Sequence, residues 1–340
     1  MREMIAQTFN DVLIKPQYSE VISRRSVDLS SKIFSYPKGT ELHLQHPIIS
    51  SNMKTITGPK MAKAMVSAGG WSILHRFNTI EEAVAEFKQV CLDGLVVQRA
   101  GVSIGVHEID KDRFTELYNT GARVFCIDVA HGHHIAVKRM IEHCKSYHSD
   151  AVIIAGNVAT YDGFRDLAEW GADSIKVGIG PGSVCSTRKN TGVGVPQLHA
   201  LQECYNANMT LKFPKTIIGD GGCSTVGDVA KALRYSDAVM LGSMLKGTTE
   251  TPGTVYIDET GFHYKYYGGS ASAETKGKNE FVEGLHKRVP FVGKVKYILE
   301  RIEHGLQSAF SYCNATNMKE YKNNCEFVHI SEGGRAESKL

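Results

Sequence analysis

The stretch KVGIGPGSVCSTRKNTGVG (176–194) places one cysteine, Cys185, in a loop rich in glycine. Glycine at this density indicates backbone in unusual conformations or backbone pressed against a ligand. Thr187 and Arg188 follow closely, and a nearby cation favours the thiolate, which is the nucleophilic form of cysteine. Four roles are open for this loop: a metal site, a disulfide, a phosphate site and a nucleophile.

The cysteine pattern argues against two of these roles. None of the eight cysteines forms a CxxC pair, and most lie in apolar segments, as Cys126 does in FCIDV. A chain of 340 residues can form a full hydrophobic core without a disulfide framework, and the ligand spacing of a tetrahedral zinc site is missing. Reduced thiols are expected, and Cys185 is either a nucleophile or an inert loop thiol.

The segments GDGGCST (219–225) and LGS (241–243) are typical of a phosphate site. Backbone N–H groups at glycines, together with the helix start predicted at Ser224 or Thr225, favour an anion. Asp220 cannot bind phosphate, but its carboxylate suits the hydroxyls of a ribose. These segments predict a phosphorylated nucleoside as ligand, and the alternative is Asp220 as a simple turn or cap residue.

Eight short apolar segments recur along the chain and must position these loops. They are 46–53, 70–77, 100–106, 123–132, 151–158, 174–180, 215–222 and 237–243. Helical periodicity fills intervals such as 79–90 and 225–235. Continuous β-branched runs are typical of parallel strands buried on both faces. The pattern predicts an α/β fold, a (β/α)8 TIM barrel, with an open doubly wound sheet as the alternative.

Functional groups gather at the predicted carboxyl ends of these strands, where barrel enzymes carry their active sites. They are Asn52-Met53, His75-Arg76, Asp128 with His131, Asn157, the loop 178–185, Asp220-Gly221-Gly222 and Gly242-Ser243. Any single strand-end glycine is equally well explained as a tight turn. Seven such ends together predict one shared site.

Composition excludes several other classes of protein. The net charge is only +3 and no block of lysine and arginine stands out, so we expect no nucleic-acid partner. No apolar run approaches about 18 residues and no apolar leader opens the chain, so we expect neither membrane insertion nor secretion. A cytoplasmic location is expected, although the terminal Ser338-Lys339-Leu340 would address a eukaryotic chain to peroxisomes or glycosomes.

Three segments together resemble a known family: GIGPGSVCSTR (178–188), DGGCSTVGDVAKA (220–232) and YGGSAS (267–272). They resemble the family of IMP dehydrogenase and GMP reductase, and the similarity runs from FNDVLIKP (9–16) to about residue 330. The resemblance implies one barrel domain over residues 1–340. That domain would carry an N-terminal extension (about 1–42), an active-site flap (about 266–290) and a C-terminal tail (about 311–340).

Two segment lengths favour the reductase branch of this family. Only 23 residues, from Asn78 to Ala100, lie where the dehydrogenases usually carry a regulatory insert, and the flap segment is short, with no Arg-Tyr pair and with Glu283-Gly284 instead. The resemblance then implies NADPH-dependent deamination of GMP to IMP and ammonia through a covalent thioimidate on Cys185. The alternatives are an IMP dehydrogenase without the insert and a purine-nucleotide-binding protein without catalysis.

The resemblance also assigns roles to individual residues. Cys185 is the implied nucleophile, and Thr187 and Glu283 are the implied proton-transfer groups. Glu274 and Glu280, in the same segment, are alternatives to Glu283. Implied substrate contacts are Ser183, Asp220, Gly221, Gly222, Gly242, Ser243, Gly268, Ser270 and Arg188. Implied cofactor contacts are Asp128, Ala130, His131, Asn157 and Gly178, in a site that is not of the Rossmann type because no GxGxxG opens a βαβ unit.

Three further expectations come from the same resemblance. A potassium ion would be held by the carbonyl groups of Gly180, Gly182 and Cys185, and relatives suggest a homotetramer. Lys54, Ser186 and Gly269 depart from the family pattern, in which an acidic or amide residue, a threonine and a base-contacting methionine are common at these positions.

Overall fold

The computed structural model of the chain describes residues 5–35, 41–91, 100–269 and 286–338. In chain order the strands are β1 (Val12–Ile14), β2 (Ser31–Ser35), β3 (Glu41–Leu44), β4 (Ile48–Ser50), β5 (Trp71–Leu74), β6 (Gly101–Ile104), β7 (Val124–Asp128), β8 (Val152–Val158), β9 (Ser174–Val177), β10 (Thr216–Asp220), β11 (Ala238–Leu241), β12 (Tyr256–Ile257), β13 (His263–Gly268), β14 (His286–Pro290) and β15 (Phe327–His329). Strands β4 to β11 close into a parallel barrel in which β11 pairs with β4. Each of the eight predicted segments supplies one barrel strand, so the barrel is confirmed and the open sheet is wrong.

Helices lie between successive barrel strands and also follow the last of them. They are α1 (Pro59–Ser67), α2 (Ile80–Cys91), α3 (Glu108–Asn119), α4 (Ile135–Tyr147), α5 (Tyr161–Glu169), α6 (Thr187–Thr191), α7 (Gln197–Met209), α8 (Val226–Leu233), α9 (Val295–Tyr312), α10 (Met318–Asn324) and α11 (Glu332–Glu337). The predicted start of α8 is confirmed, because the Thr225 hydroxyl accepts from Asp228 N–H at 3.1 Å in a capping box. Helix α9 packs closely on α8, since a Cβ at Gly305 would lie 2.5 Å from Val226 Cγ1.

The barrel interior is filled by apolar side chains, among them Ile49, Ile73 and Ile154. The β2–β3 hairpin covers the end of the barrel at which the strands begin. Ser31 there donates to the carbonyl of Asp237, and Ser174 at the start of β9 donates to the hairpin. With this end covered, ligands have access from the opposite end, where the strands finish.

Two small antiparallel sheets extend the barrel. Strand β1 pairs with β15, so the N-terminal and C-terminal segments meet. Strand β13 pairs with β12 and β14, and Gly268 at its end exchanges hydrogen bonds with the Thr55 hydroxyl at 3.0 and 3.1 Å. The predicted site residues Ser270, Glu274, Glu280 and Glu283 and the terminal Lys339-Leu340 lie outside the described residues. Among the described helices, none is long and apolar enough to cross a membrane.

Candidate active site

A cavity of about 400 Å³ opens where the barrel strands end. Its lining comes from the loops after β4, β5 and β7 to β11, and from Tyr267 on β13. This volume lies in the range of small-molecule sites. Most of the residues predicted for the site line this cavity, namely Asp128, Ala130, Asn157, Gly178, Gly180, Gly182, Ser183, Cys185, Thr187, Asp220, Gly221, Gly222, Gly242 and Ser243.

The loop after β9 carries the candidate nucleophile to the cavity. Gly178 has φ +149°, and a Cβ there would lie 2.1 Å from the Asp220 carbonyl oxygen, so only glycine lets this loop pass β10 so closely. Cys185 is exposed, and its Sγ lies 3.2 Å from Thr187 Oγ1 at the start of α6. A thiol and a hydroxyl thus face the cavity as a pair.

The loop after β10 forms the opposite side of the mouth. Gly221 and Gly222 have φ of +89° and +86°, and Gly221 packs against Pro181 of the cysteine loop. The amides of residues 221–223 make no hydrogen bond to a described residue, so three N–H groups are available to an anion. The start of α8 is different, because Asp228 Oδ2 already accepts from Ser224 N–H and Thr225 N–H. The amides of residues 221–223, rather than that helix start, are therefore the candidate donors to an anion.

A buried lysine joins the floor of the cavity. Lys176 Nζ lies 2.7 Å from Asp128 Oδ1 and 3.0 Å from Asp220 Oδ2, and the lysine is only 1% exposed. Burial would lower the pKa of Lys176, but the two carboxylates outweigh it and hold that pKa well above its usual range. Burial would raise the pKa of Asp128, but Lys176 and Arg76 outweigh it and hold that pKa below its usual range. The three groups form an ionic cluster in which the lysine is buried and the two carboxylates are partly exposed.

Sequence reasoning missed Lys176, although one signal was present. A lysine in the otherwise apolar strand SIKV is unusual, because a buried ammonium needs charged or polar partners. Tyr267 was missed as well. Its hydroxyl lines the cavity next to Met53 Sδ, and burial raises its pKa while a hydrogen bond with Ser183 opposes the shift.

Asn157 connects the neighbouring walls. Its Nδ2 donates to the carbonyl of Gly178 at 2.8 Å and to Asp220 Oδ2 at 2.9 Å. Its Oδ1 is buried and makes no hydrogen bond to a described residue. An unsatisfied buried acceptor on a cavity wall suits a ligand hydroxyl or amide N–H. A dinucleotide in this half of the cavity would supply such donors.

Three predicted contacts lie apart from the cavity lining. Arg188 turns back on its own loop and donates to the carbonyls of Val195 and, at 3.5 Å, of Ile179. His131 is exposed, with its ring 6.4 Å from that of His133. Gly268 is bound to Thr55 as described above. Their ligand contacts therefore stay predictions without support from the cavity.

The predicted potassium ligands are carbonyl oxygens of the cysteine loop, which are hard donors suited to such a cation. The carbonyl of Gly182 already accepts from Cys185 N–H at 3.0 Å, and a carbonyl oxygen has a second lone pair to offer. The donor chemistry fits a monovalent cation. Among the described side chains, no cluster of histidine, cysteine, aspartate and glutamate could hold a metal ion.

Comparison with known proteins identifies the family. A model of the IMP dehydrogenase / GMP reductase domain matches residues 6–340. The chain belongs to this family. It is 37% identical to the GMP reductase of Streptococcus agalactiae serotype Ia over 91% of both chains, and 31% identical to the inosine-5'-monophosphate dehydrogenase of Nitrosopumilus maritimus over 97% of both. The resemblance to this family is thus confirmed.

A solved structure of the same family has the same fold over its whole length. A GMP reductase variant from Trypanosoma brucei in complex with guanosine 5'-monophosphate matches with a TM-score of 0.90 at 27% identity, covering 100% of this chain and 98% of that chain. Membership of this family makes the chain an oxidoreductase of purine metabolism that uses a nicotinamide dinucleotide. The orphaned acceptor of Asn157 is consistent with that cofactor.

Proposed function

We propose that the protein is a GMP reductase, which converts GMP and NADPH into IMP, NADP⁺ and ammonia. The observation that carries the proposal is the pair Cys185 Sγ and Thr187 Oγ1, 3.2 Å apart at a cavity whose facing loop has three amides, of residues 221–223, that make no hydrogen bond to a described residue. Relatives from the reductase branch and the short segment between β5 and β6, from Asn78 to Ala100, support the reductase over the dehydrogenase.

The substrate would be held from its phosphate end. The amides of residues 221–223 and the Ser183 and Ser243 hydroxyls bind the phosphate, since each donates a hydrogen bond and none places a negative charge there. Asp220, directly before the glycines, accepts from the ribose hydroxyls. Tyr267 and Met53 form an apolar wall of the cavity beside the substrate. The purine then reaches the rim where Cys185 lies.

Cys185 acts as a nucleophile on C2 of the purine. Its thiolate forms a carbon–sulfur bond, and cleavage of the bond between C2 and the amino nitrogen releases ammonia. NADPH, when bound, supplies a hydride to C2. Cleavage of the carbon–sulfur bond then returns the electron pair to sulfur and leaves IMP. One difficult displacement is thereby divided into two easier steps.

The departing amino group needs a proton, and Thr187 is placed to relay it. Its hydroxyl can donate toward the leaving nitrogen and be resupplied by a second group. We assign that second role to Glu283, on the resemblance of Glu283-Gly284 to the reductase branch. Potassium binding at the cysteine loop and a homotetrameric assembly belong to the same proposal.

One assay tests the proposal against its alternatives. The protein is mixed with GMP and NADPH, and NADPH absorbance and ammonia are followed together. We expect equal molar loss of NADPH and gain of ammonia. Formation of NADH from IMP and NAD⁺, without NADPH oxidation by GMP, would identify a dehydrogenase. Tight GMP binding with neither reaction would identify a binding protein.

A further inference from the structure

The three donors of the Lys176 ammonium are matched by three acceptors of the protein. These are Asp128 Oδ1 at 2.7 Å, Asp220 Oδ2 at 3.0 Å and Asn52 Oδ1 at 3.4 Å. An ammonium has three N–H donors, so no donor is left for a ligand. Lys176 therefore acts on ligands only through the residues that it holds.

The two carboxylates that share this ammonium belong to different walls. Asp220 ends β10 and leads directly into the glycines of the proposed phosphate site. Asp128 ends β7, where Arg76 Nε donates to its carbonyl at 3.1 Å. Strands β8 and β9 separate the two in the barrel, and Lys176 on β9 reaches both.

Two carboxylates share the ammonium of Lys176, and the Arg76 guanidinium near Asp128 supplies a second positive charge. Each carboxylate competes for the same ammonium, in a buried environment where such interactions are strong. A ligand hydroxyl that donates to Asp220 reduces the hold of Asp220 on Lys176. The ammonium then shifts its hydrogen bonding toward Asp128 and changes what Asp128 offers to a second ligand.

We propose that Lys176 is a positioning residue that couples nucleotide binding at the Asp220 wall to cofactor binding at the Asp128 wall. This inference rests on the proposed function, because it takes GMP as the ligand of the first wall and the nicotinamide cofactor as the ligand of the second. The coupling is reciprocal: whatever factor GMP applies to the affinity for the cofactor, the cofactor applies to the affinity for GMP.

The test uses GMP and NADP⁺, a pair that cannot complete the reaction to IMP because NADP⁺ carries no hydride. Calorimetric titration gives the Kd of NADP⁺ with and without saturating GMP, and the ratio of the two values is the coupling. In the wild-type protein we expect a ratio of at least about fivefold. In Lys176→Met we expect the two Kd values of NADP⁺, measured with and without GMP, to converge, so that the ratio falls to within about twofold of one. A wild-type ratio near one, or an unchanged ratio in a folded Lys176→Met protein, would overturn the inference.

The matched control is Lys265→Met. Lys265 is another buried lysine, and its ammonium donates to the carbonyls of Thr248 and Thr251 at 3.0 and 2.7 Å, away from the cavity lining. The Lys265→Met substitution removes a buried ammonium and leaves the cluster of Lys176, Asp128 and Asp220 intact. The free energy of unfolding should therefore fall, while the coupling ratio stays at the wild-type value. Loss of the ratio in this variant as well would refute a specific role for Lys176.

A second variant decides the matter if Lys176→Met does not fold. Asp128→Asn keeps the size of the side chain and removes its charge from the ammonium. Although Asp128 lies on the cofactor wall, we expect the Kd of GMP alone to rise at least threefold, and an unchanged Kd would refute the coupling. Failure of the proposed function looks different, since a wild-type protein that does not oxidise NADPH with GMP refutes the reductase whatever the variants show.

Discussion

Cys185 Sγ lies 3.2 Å from Thr187 Oγ1, and the two residues straddle the point where the glycine loop becomes helix α6. The loop exposes the thiol, while the first helical residue fixes the position of the hydroxyl. Both groups line the cavity at the ends of the barrel strands. A nucleophile and a proton relay are thereby presented to one ligand atom, and each can be removed separately.

Cys185→Ala should abolish turnover and leave GMP binding within about threefold of wild type, because only the bond-forming atom is lost. Steady-state NADPH oxidation and calorimetric titration of GMP measure the two properties. Cys204→Ala is the control: its thiol is buried and bonded to the carbonyl of Thr160, away from the cavity lining, so turnover should persist. Residual turnover in Cys185→Ala at the wild-type rate would show that the nucleophile is another group.

Thr187→Val keeps the shape of the side chain and removes the hydroxyl. We expect kcat to fall about 10²-fold or more, the size typical of lost proton transfer, with little change in the Kd of GMP. Thr187→Ser keeps the hydroxyl and should keep most of the activity. Equal rates in the valine and serine variants would contradict a proton relay at Thr187.

The eight strands could be predicted because parallel barrel strands are buried on both faces and appear as continuous apolar runs. Their predicted bounds were too long, since 123–132 includes the loop after β7, which ends at Asp128. The glycines that face the cavity, and Cys185 among them, could be recognised because a loop with this backbone requires glycine at several positions and the pattern is visible in the sequence. The helix start at Thr225 was found because its cap has a local signature.

The ionic cluster could not be predicted in the same way. Lys176 meets Asp128 and Asp220 from 48 and 44 positions away, and the contacts exist only after the barrel closes. The resemblance implies a substrate contact for Arg188, and the turn after α6 brings the carbonyl of Val195 to its guanidinium. That contact depends on the folded loop and cannot be inferred from the sequence.

His75 gives the fold a pH dependence in the acid range. Burial, followed by the nearby Lys54 and Arg113, lowers the pKa of His75 from the ordinary histidine value of 6.5 to about 4. Below pH 6.5 the unfolded chain binds a proton at His75, whereas the folded protein does not bind it until the pH approaches 4. The free energy of unfolding should therefore fall as the pH drops from 6.5 to 4, by about 3 kcal/mol from this residue.

The variant that checks this dependence is His75→Gln, which cannot titrate. Denaturant unfolding of both proteins at several pH values between 6.5 and 4 should give a shallower decline in the variant. His46 is a matched comparison, because burial lowers its pKa as well and it lies at the opposite end of the barrel, beside Ala68. A decline of equal slope in wild type and His75→Gln would refute the assignment to His75.

Gly178→Ala tests how closely the cysteine loop must pass β10. The new Cβ would lie 2.1 Å from the Asp220 carbonyl oxygen, so either the cysteine loop or Asp220 must shift. We expect kcat/KM to fall more than tenfold, since a small displacement of a positioned nucleophile has large effects on rate.

Gly192→Ala is the control for backbone strain alone, because Gly192 has φ +73° and no described atom within 4 Å of the new Cβ. That variant should lose about 1 kcal/mol of unfolding free energy and keep its kcat/KM. If the two variants lose activity equally, flexibility of the whole loop, rather than its contact with β10, sets the position of Cys185.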